Sequence, residues 1–323
     1  MEVAEIARWS RRAEVNGFDS VWISEDPYFR DATTILSLLG ASTKRVKIAS
    51  CILNVYTKNP VYMAMAAATI NEICNGRLIL GIGRGVRSLI EGELHIRYGS
   101  YLTYVREYIE CLRKLLAGES VVYDGKEIEL TGARLRFQSK PIPIYLAATG
   151  PKMLRLAGEL ADGVILNSCT SVKHTKFVYD ILTESRRTSA KKPGLVCSLW
   201  TSIDNDVEKA YESVRKLVGF LLSIPSFGET FLNRSELPSD FLEDLRKAFR
   251  WDEEVGDPIW HLEQCDYSKV QEVITDEIVD ALTVCGTIAD CRRRIKKYFD
   301  AGATTAIITP MTAKTFARMH LLI

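Results

Sequence analysis

The residues best suited to chemistry in this chain stand at the ends of short apolar segments. Two adjacent carboxylates, Glu25 and Asp26, follow segment 18–24 directly, with Arg30 and Asp31 close behind. Such a pair could contact a ligand ring and handle protons; the plainer reading is a helix cap at Asp31 among solvated loop charges. Gly81, Gly83 and Gly85 alternate at the end of a second segment. They would let backbone approach a ligand, although the third glycine is placed too early for a dinucleotide fingerprint. In a third place, small residues give way to Gly, Pro and Lys in Ala147-Ala148-Thr149-Gly150-Pro151-Lys152-Met153. Proline suits the first turn of a helix. The free N–H groups there, with a hydroxyl and a cation alongside, make an anion site that suits phosphate; the alternative is an ordinary capped helix.

Other chemistries find less support. The four histidines (His95, His174, His261, His320) and eight scattered cysteines form no C-x-x-C pair and no zinc spacing, so no metal centre is expected. Cys51 ends an apolar segment but has no histidine near it in sequence, which argues against an activated thiol. With 42 basic and 41 acidic residues the net charge is +1, and no basic tail offers a nucleic-acid face. No run of about 18 apolar residues suggests a membrane span. The start, Met1 to Arg12, is charged and lacks a signal-peptide core. The thiols read as reduced and mostly buried, which fits a cytoplasmic protein.

The elements that must carry these residues follow from a pattern that occurs three times: a helix, a glycine, then a β-rich strand. Gly17 precedes 18–24, Gly163 precedes 164–167, and Gly302 precedes 303–310. Glycine near a helix end supplies the left-handed turn that stops it. Further strands are expected at 46–51, 77–82, 143–148 and 196–203, separated by helices at 32–42 and 61–73, from 151, and around 174–185. Seven apolar strands alternating with helices imply right-handed βαβ crossovers and a parallel sheet. A chain of 323 residues, 47% hydrophobic, suits one α/β domain. The expected fold is therefore a TIM-type (β/α)8 barrel over 1–323. Because a helix at 2–15 comes first, that barrel lacks its first strand and is open at the seam. Two insertions are expected: a hairpin at about 119–140 on an Asp124-Gly125 turn, and a helical piece at about 222–270. The second is either a lid over the barrel mouth or a packed surface excursion.

Taken together, the segment ends resemble a known superfamily. Asn71-Glu72-Ile73-Cys74-Asn75-Gly76 leading into Arg77-Leu78-Ile79-Leu80-Gly81-Ile82-Gly83-Arg84-Gly85 is similar to a signature of luciferase-like oxidoreductases. Asn59-Pro60, and Ala148 to Met153 running on through Leu156 to Gly163, are similar to two more. Val21-Trp22-Ile23-Ser24 and the stretch Cys51 to Thr57 draw the likeness toward the coenzyme F-420-dependent branch, nearest its methylenetetrahydromethanopterin reductases.

The resemblance implies an oxidoreductase that passes hydride between a deazaflavin, coenzyme F-420, and a small or C1-carrier substrate. FMN in a monooxygenase of the same fold is the alternative cofactor, and a non-catalytic cofactor-binding barrel is a second alternative. It implies a cofactor phosphate on Ala148, Thr149, Gly150 and Lys152. It places the ring against Cys51 and Ile52, with Asn54 and Gly83 beside them, and, with their position at a strand end, points to a cis peptide bond at Cys51–Ile52 or within one residue of it. Glu25 and Asp26 would be catalytic, on the ring and substrate side. They stand where the family often has Asp-His, and Arg84 stands where related dehydrogenases carry Glu. The partner expected is a small-molecule substrate, and the apolar helices suit a homodimer or higher homo-oligomer.

Overall fold

Helix α1 (Val3–Val15) begins the fold, capped by a reciprocal pair of hydrogen bonds between Glu2 and Glu5. The computed structural model describes residues 2–185, 192–225, 227–253, 255 and 258–323. They fall into two units, Met1–Ile165 with Ile181–Gly194, and Leu166–Asp180 with Leu195–Ile323.

In the first unit α1 leads to β1 (Ser20–Ile23), α2 (Ala32–Ser42), β2 (Lys47–Ser50), β3 (Leu53–Asn54), α3 (Pro60–Ile73) and β4 (Leu78–Gly83). A short π-helix (Ser88–Glu93), α4 (Tyr101–Leu116), β5 (Val121–Asp124), β6 (Glu129–Ala133), β7 (Ile144–Ala147), α5 (Pro151–Leu160) and β8 (Gly163–Leu166) follow. The parallel ladder runs β1-β2-β4-β7-β8, with β3 also on β4. Strands β4 and β8 are buried at every residue, as expected of parallel strands covered on both faces, whereas β1 is only half-buried throughout.

The second unit holds α6 (Val172–Ser185), which crosses the division, β9 (Gly194–Ile203) and α7 (Val207–Ser223). Then come α8 (Gly228–Ser235), α9 (Leu242–Ala248), α10 (Pro258–Glu263), α11 (Tyr267–Val273) and α12 (Asp276–Leu282). The unit ends with β10 (Val284–Gly286), α13 (Ile288–Asp300), β11 (Thr305–Pro310) and α14 (Ala313–Arg318). Strand β9 pairs in parallel with both β11 and β10. The described residues of the 222–270 stretch are mainly helical, as expected, and much of that part is core: Phe231, Leu245, Phe249 and Val270 pack with Val214 and Val218 of α7.

All seven expected strands occur, as β1, β2, β4, β7, β8, β9 and β11. The two- and three-residue strands β3 and β10 were not expected, because segments that short carry no period to read. Among the described residues no strand precedes α1, and β1 has a ladder with β2 alone.

Two local expectations change. Gly17 and Gly302 are left-handed, as a helix stop requires, but Gly163 is not. It lies inside β8, where a Cβ would come within 2.6 Å of the Gly194 carbonyl, so its role is close approach of backbones. The hairpin is present, but its turn is not a two-residue Asp-Gly turn. Asp124 pairs with Glu129 across a four-residue loop. The buried Glu107 carboxylate accepts the N–H groups of Lys126, Glu127 and Ile128, each at 2.9 Å, and a Cβ on Gly125 would strike it.

Candidate functional site

The loop after β1 places Glu25 and Asp26 in different surroundings. Glu25 is nearly enclosed. One oxygen accepts the Asn54 N–H at 2.8 Å, and the other is ion-paired with the Lys58 ammonium. The Asp26 carboxylate has no hydrogen-bond or ion-pair partner among the described residues. The residue is exposed as a whole, yet its carboxyl pKa is raised, first by partial burial of the group and then by the charge of Glu25. Asp31 caps α2, as its plainer reading held, accepting the Thr34 N–H at 2.8 Å. Burial works against its ionisation, but hydrogen bonds from Thr33 and Thr34 outweigh this and lower its pKa.

At the end of β2 the Cys51–Ile52 peptide bond is cis, as expected. Burial, with the Asp26 charge adding to it, pushes the Cys51 thiol up to about 12, so it is no thiolate nucleophile near neutrality. Ile52 lies against Gly83: a Cβ there would come to 3.0 Å from its Cδ1 and 3.1 Å from the Ala147 Cβ. Gly83 is itself buried, so its missing side chain makes room for Ile52 and not for a ligand. Gly85, at φ +66°, leaves space for the Asn54 amide. Asn54 turns the chain onward, its Oδ1 accepting the Tyr56 N–H at 2.7 Å.

The third cluster is open. Gly150 is the N-cap of α5 in extended backbone, with no side-chain cap on the helix, and a Cβ there would meet nothing within 4 Å. Ala148 is buried behind it. The Thr149 hydroxyl and the exposed Lys152 ammonium have no partner among the described residues. These groups and the uncapped first turn fit a phosphate.

Sequence reasoning missed a column of tyrosines. Tyr56 stacks between Tyr98 and Tyr104, with ring centroids 4.5 Å apart on each side, and Tyr108 lies beyond Tyr104. Arg84 donates to the Tyr98 hydroxyl at 3.0 Å and lies over the Tyr101 ring. The three- and four-residue spacing of Tyr101, Tyr104 and Tyr108 was the available signal. No cluster of three or more metal-ligating side chains occurs among the described residues, nor does a helix long and apolar enough to cross a membrane.

The family model described as luciferase-like monooxygenase matches residues 1–305. A 5,10-methylenetetrahydromethanopterin reductase of Methanolobus tindarius is 32% identical over 94% of this chain and 90% of its own length. The coenzyme F-420-dependent tetrahydromethanopterin reductase structure from Methanopyrus kandleri superposes with a TM-score of 0.82 at 24% identity, covering 100% of this chain and 94% of that one. An F-420-dependent secondary alcohol dehydrogenase, solved with an F-420–acetone adduct, gives 0.77 at 20% identity over 100% and 94%. These likenesses show the fold to be the TIM-type barrel class.

Proposed function

We propose that this chain, which belongs to the luciferase-like monooxygenase family, is an oxidoreductase using coenzyme F-420 on a small or C1-carrier substrate, in the manner of the methylenetetrahydromethanopterin reductases it resembles. The observation that carries the reading is the open anion site at Thr149, Gly150 and Lys152 in a chain several of whose relatives are named for F-420. When bound, the deazaflavin supplies the hydride-carrying centre.

The protein's own part is to bind, orient and exclude water. Ala148, Thr149, Gly150 and Lys152 hold the phosphate. Cys51 and Ile52 back the ring, Gly83 seats Ile52, and Asn54 fixes the turn that follows. Glu25 and Asp26 stand on the substrate side, and Asp26 is the carboxyl open to proton handling. The reading takes 1–323 as one domain, which the family match over 1–305 supports. It places the protein in the cytoplasm, in keeping with eight free cysteines. It gives the protein a small-molecule substrate, no nucleic-acid or membrane partner, and a homodimeric or higher state.

Titration of the purified chain with F-420 and with FMN tests it. Saturable F-420 binding, followed by F-420-linked turnover of methylenetetrahydromethanopterin or a simple alcohol, is expected. Binding of FMN alone would move the chain to the flavin monooxygenases, and F-420 binding without turnover of any such substrate would make it a cofactor carrier.

A further inference from the structure

We propose that Glu25 and Lys58 are positioning residues, a clamp that fixes the 51–58 turn against which the cofactor ring rests, and that proton handling falls to Asp26. This deepens the F-420 reading and rests on it.

The clamp joins the ends of neighbouring strands. Glu25 follows β1, and its two partners, the Asn54 N–H at the end of β3 and the Lys58 ammonium just before α3, lie on the segment between β2 and α3. The pair is largely enclosed, with side chains 15% and 21% exposed, so water screens it little. Each carboxylate oxygen already has a donor. The turn is held at other points as well. Tyr108, buried in α4, donates to the Lys58 carbonyl at 2.6 Å, and Asn59 caps α3 through the Val61 and Tyr62 N–H groups. Ile52 enters this turn from its seat on Gly83. Glu25 thus serves geometry, while the neighbouring carboxylate, without a partner among the described residues, remains for substrate.

The test compares Glu25→Gln, Glu25→Ala, Lys58→Met and Asp26→Asn in the full chain. Glutamine keeps an acceptor for the Asn54 N–H; alanine removes both contacts. Glu25→Ala and Lys58→Met are expected to weaken F-420 binding by about tenfold or more, with Glu25→Gln in between. Asp26→Asn is expected to leave F-420 affinity unchanged, lower kcat about a hundredfold and flatten the acid limb of the pH profile. A Glu25→Gln variant with wild-type affinity and a lost kcat would overturn the proposal, because Glu25 would then act on substrate. Amide hydrogen exchange over 52–58 separates the clamp from the cofactor reading. Exchange there should speed up in Glu25→Ala and Lys58→Met and not in Asp26→Asn, whether or not F-420 binds. Unchanged exchange in both clamp variants would also overturn it, whereas absence of F-420 binding in the wild-type chain would remove the cofactor reading alone.

Discussion

Replacing Gly150 with Asp should strengthen the fold and weaken cofactor binding at once. Gly150 has φ −86° and ψ 149°, which any residue can adopt, and its Cβ direction is empty to 4 Å, so the substitution brings neither strain nor a clash. Helix α5 has no side-chain cap, and Asp is among the best N-caps, although its gain over the glycine it replaces is only about a few tenths of a kcal/mol. The same carboxylate would occupy the N–H groups that otherwise face a phosphate. It would also bring a second negative charge beside that phosphate, and two like charges at about 5 Å repel by about 1–3 kcal/mol at effective dielectric constants between water and a protein surface. Affinity for F-420 should therefore fall at least about tenfold. The assay is a fluorescence titration at low and high salt beside a thermal melt. Gly150→Asn separates the two effects, since it caps without the charge. The loss in the Asp variant should shrink with salt, and the loss in the Asn variant should not. A Gly150→Asp chain that melts at or above the wild-type temperature yet binds F-420 unchanged would refute the assignment of the phosphate to this loop.

His174 in α6 is fully buried with neither ring nitrogen hydrogen-bonded among the described residues, and burial, then the charge of Arg234, lowers its pKa to about 4. Its folded state binds fewer protons than an unfolded histidine near 6.5, so stability is full above that pH and falls by about 3 kcal/mol as pH drops toward 4; urea melts across this window should show the slope, reduced in His174→Phe. Gly83→Val should cost about 1–3 kcal/mol in urea denaturation and weaken F-420 binding, because its first carbon alone already crowds Ile52. Glu107→Ala leaves three hairpin N–H groups without their acceptor and should cost about 3 kcal/mol, while Glu107→Gln should recover part of that in the same melts.

The parallel architecture was legible because its signals are local. Apolar runs of strand length, glycine stops at Gly17 and Gly302, and Pro60 and Pro151 at helix starts each carry their own physics. What escaped depends on partners distant in sequence. The Asp124-Gly125 pair suggested a tight turn, but the carboxylate of Glu107, on the preceding helix, makes a wider one favourable. Gly83 is a glycine for the sake of Ile52, and no spacing rule links the two. Of two adjacent carboxylates the sequence could not say which would be enclosed, because that depends on Lys58, thirty-three residues on. The cis bond at Cys51–Ile52 was expected partly through resemblance and partly from its place at the end of a strand.

Helix α4 has a mechanical consequence. Tyr104 donates to the Val55 carbonyl at 3.1 Å and Tyr108 to that of Lys58, while Glu107, between them, grips the hairpin turn. One rigid rod thus has its hand on the ligand-facing turn and on a peripheral ornament. Glu107 and Tyr108 are adjacent on that rod, so the hairpin turn and the Lys58 carbonyl are gripped from neighbouring positions.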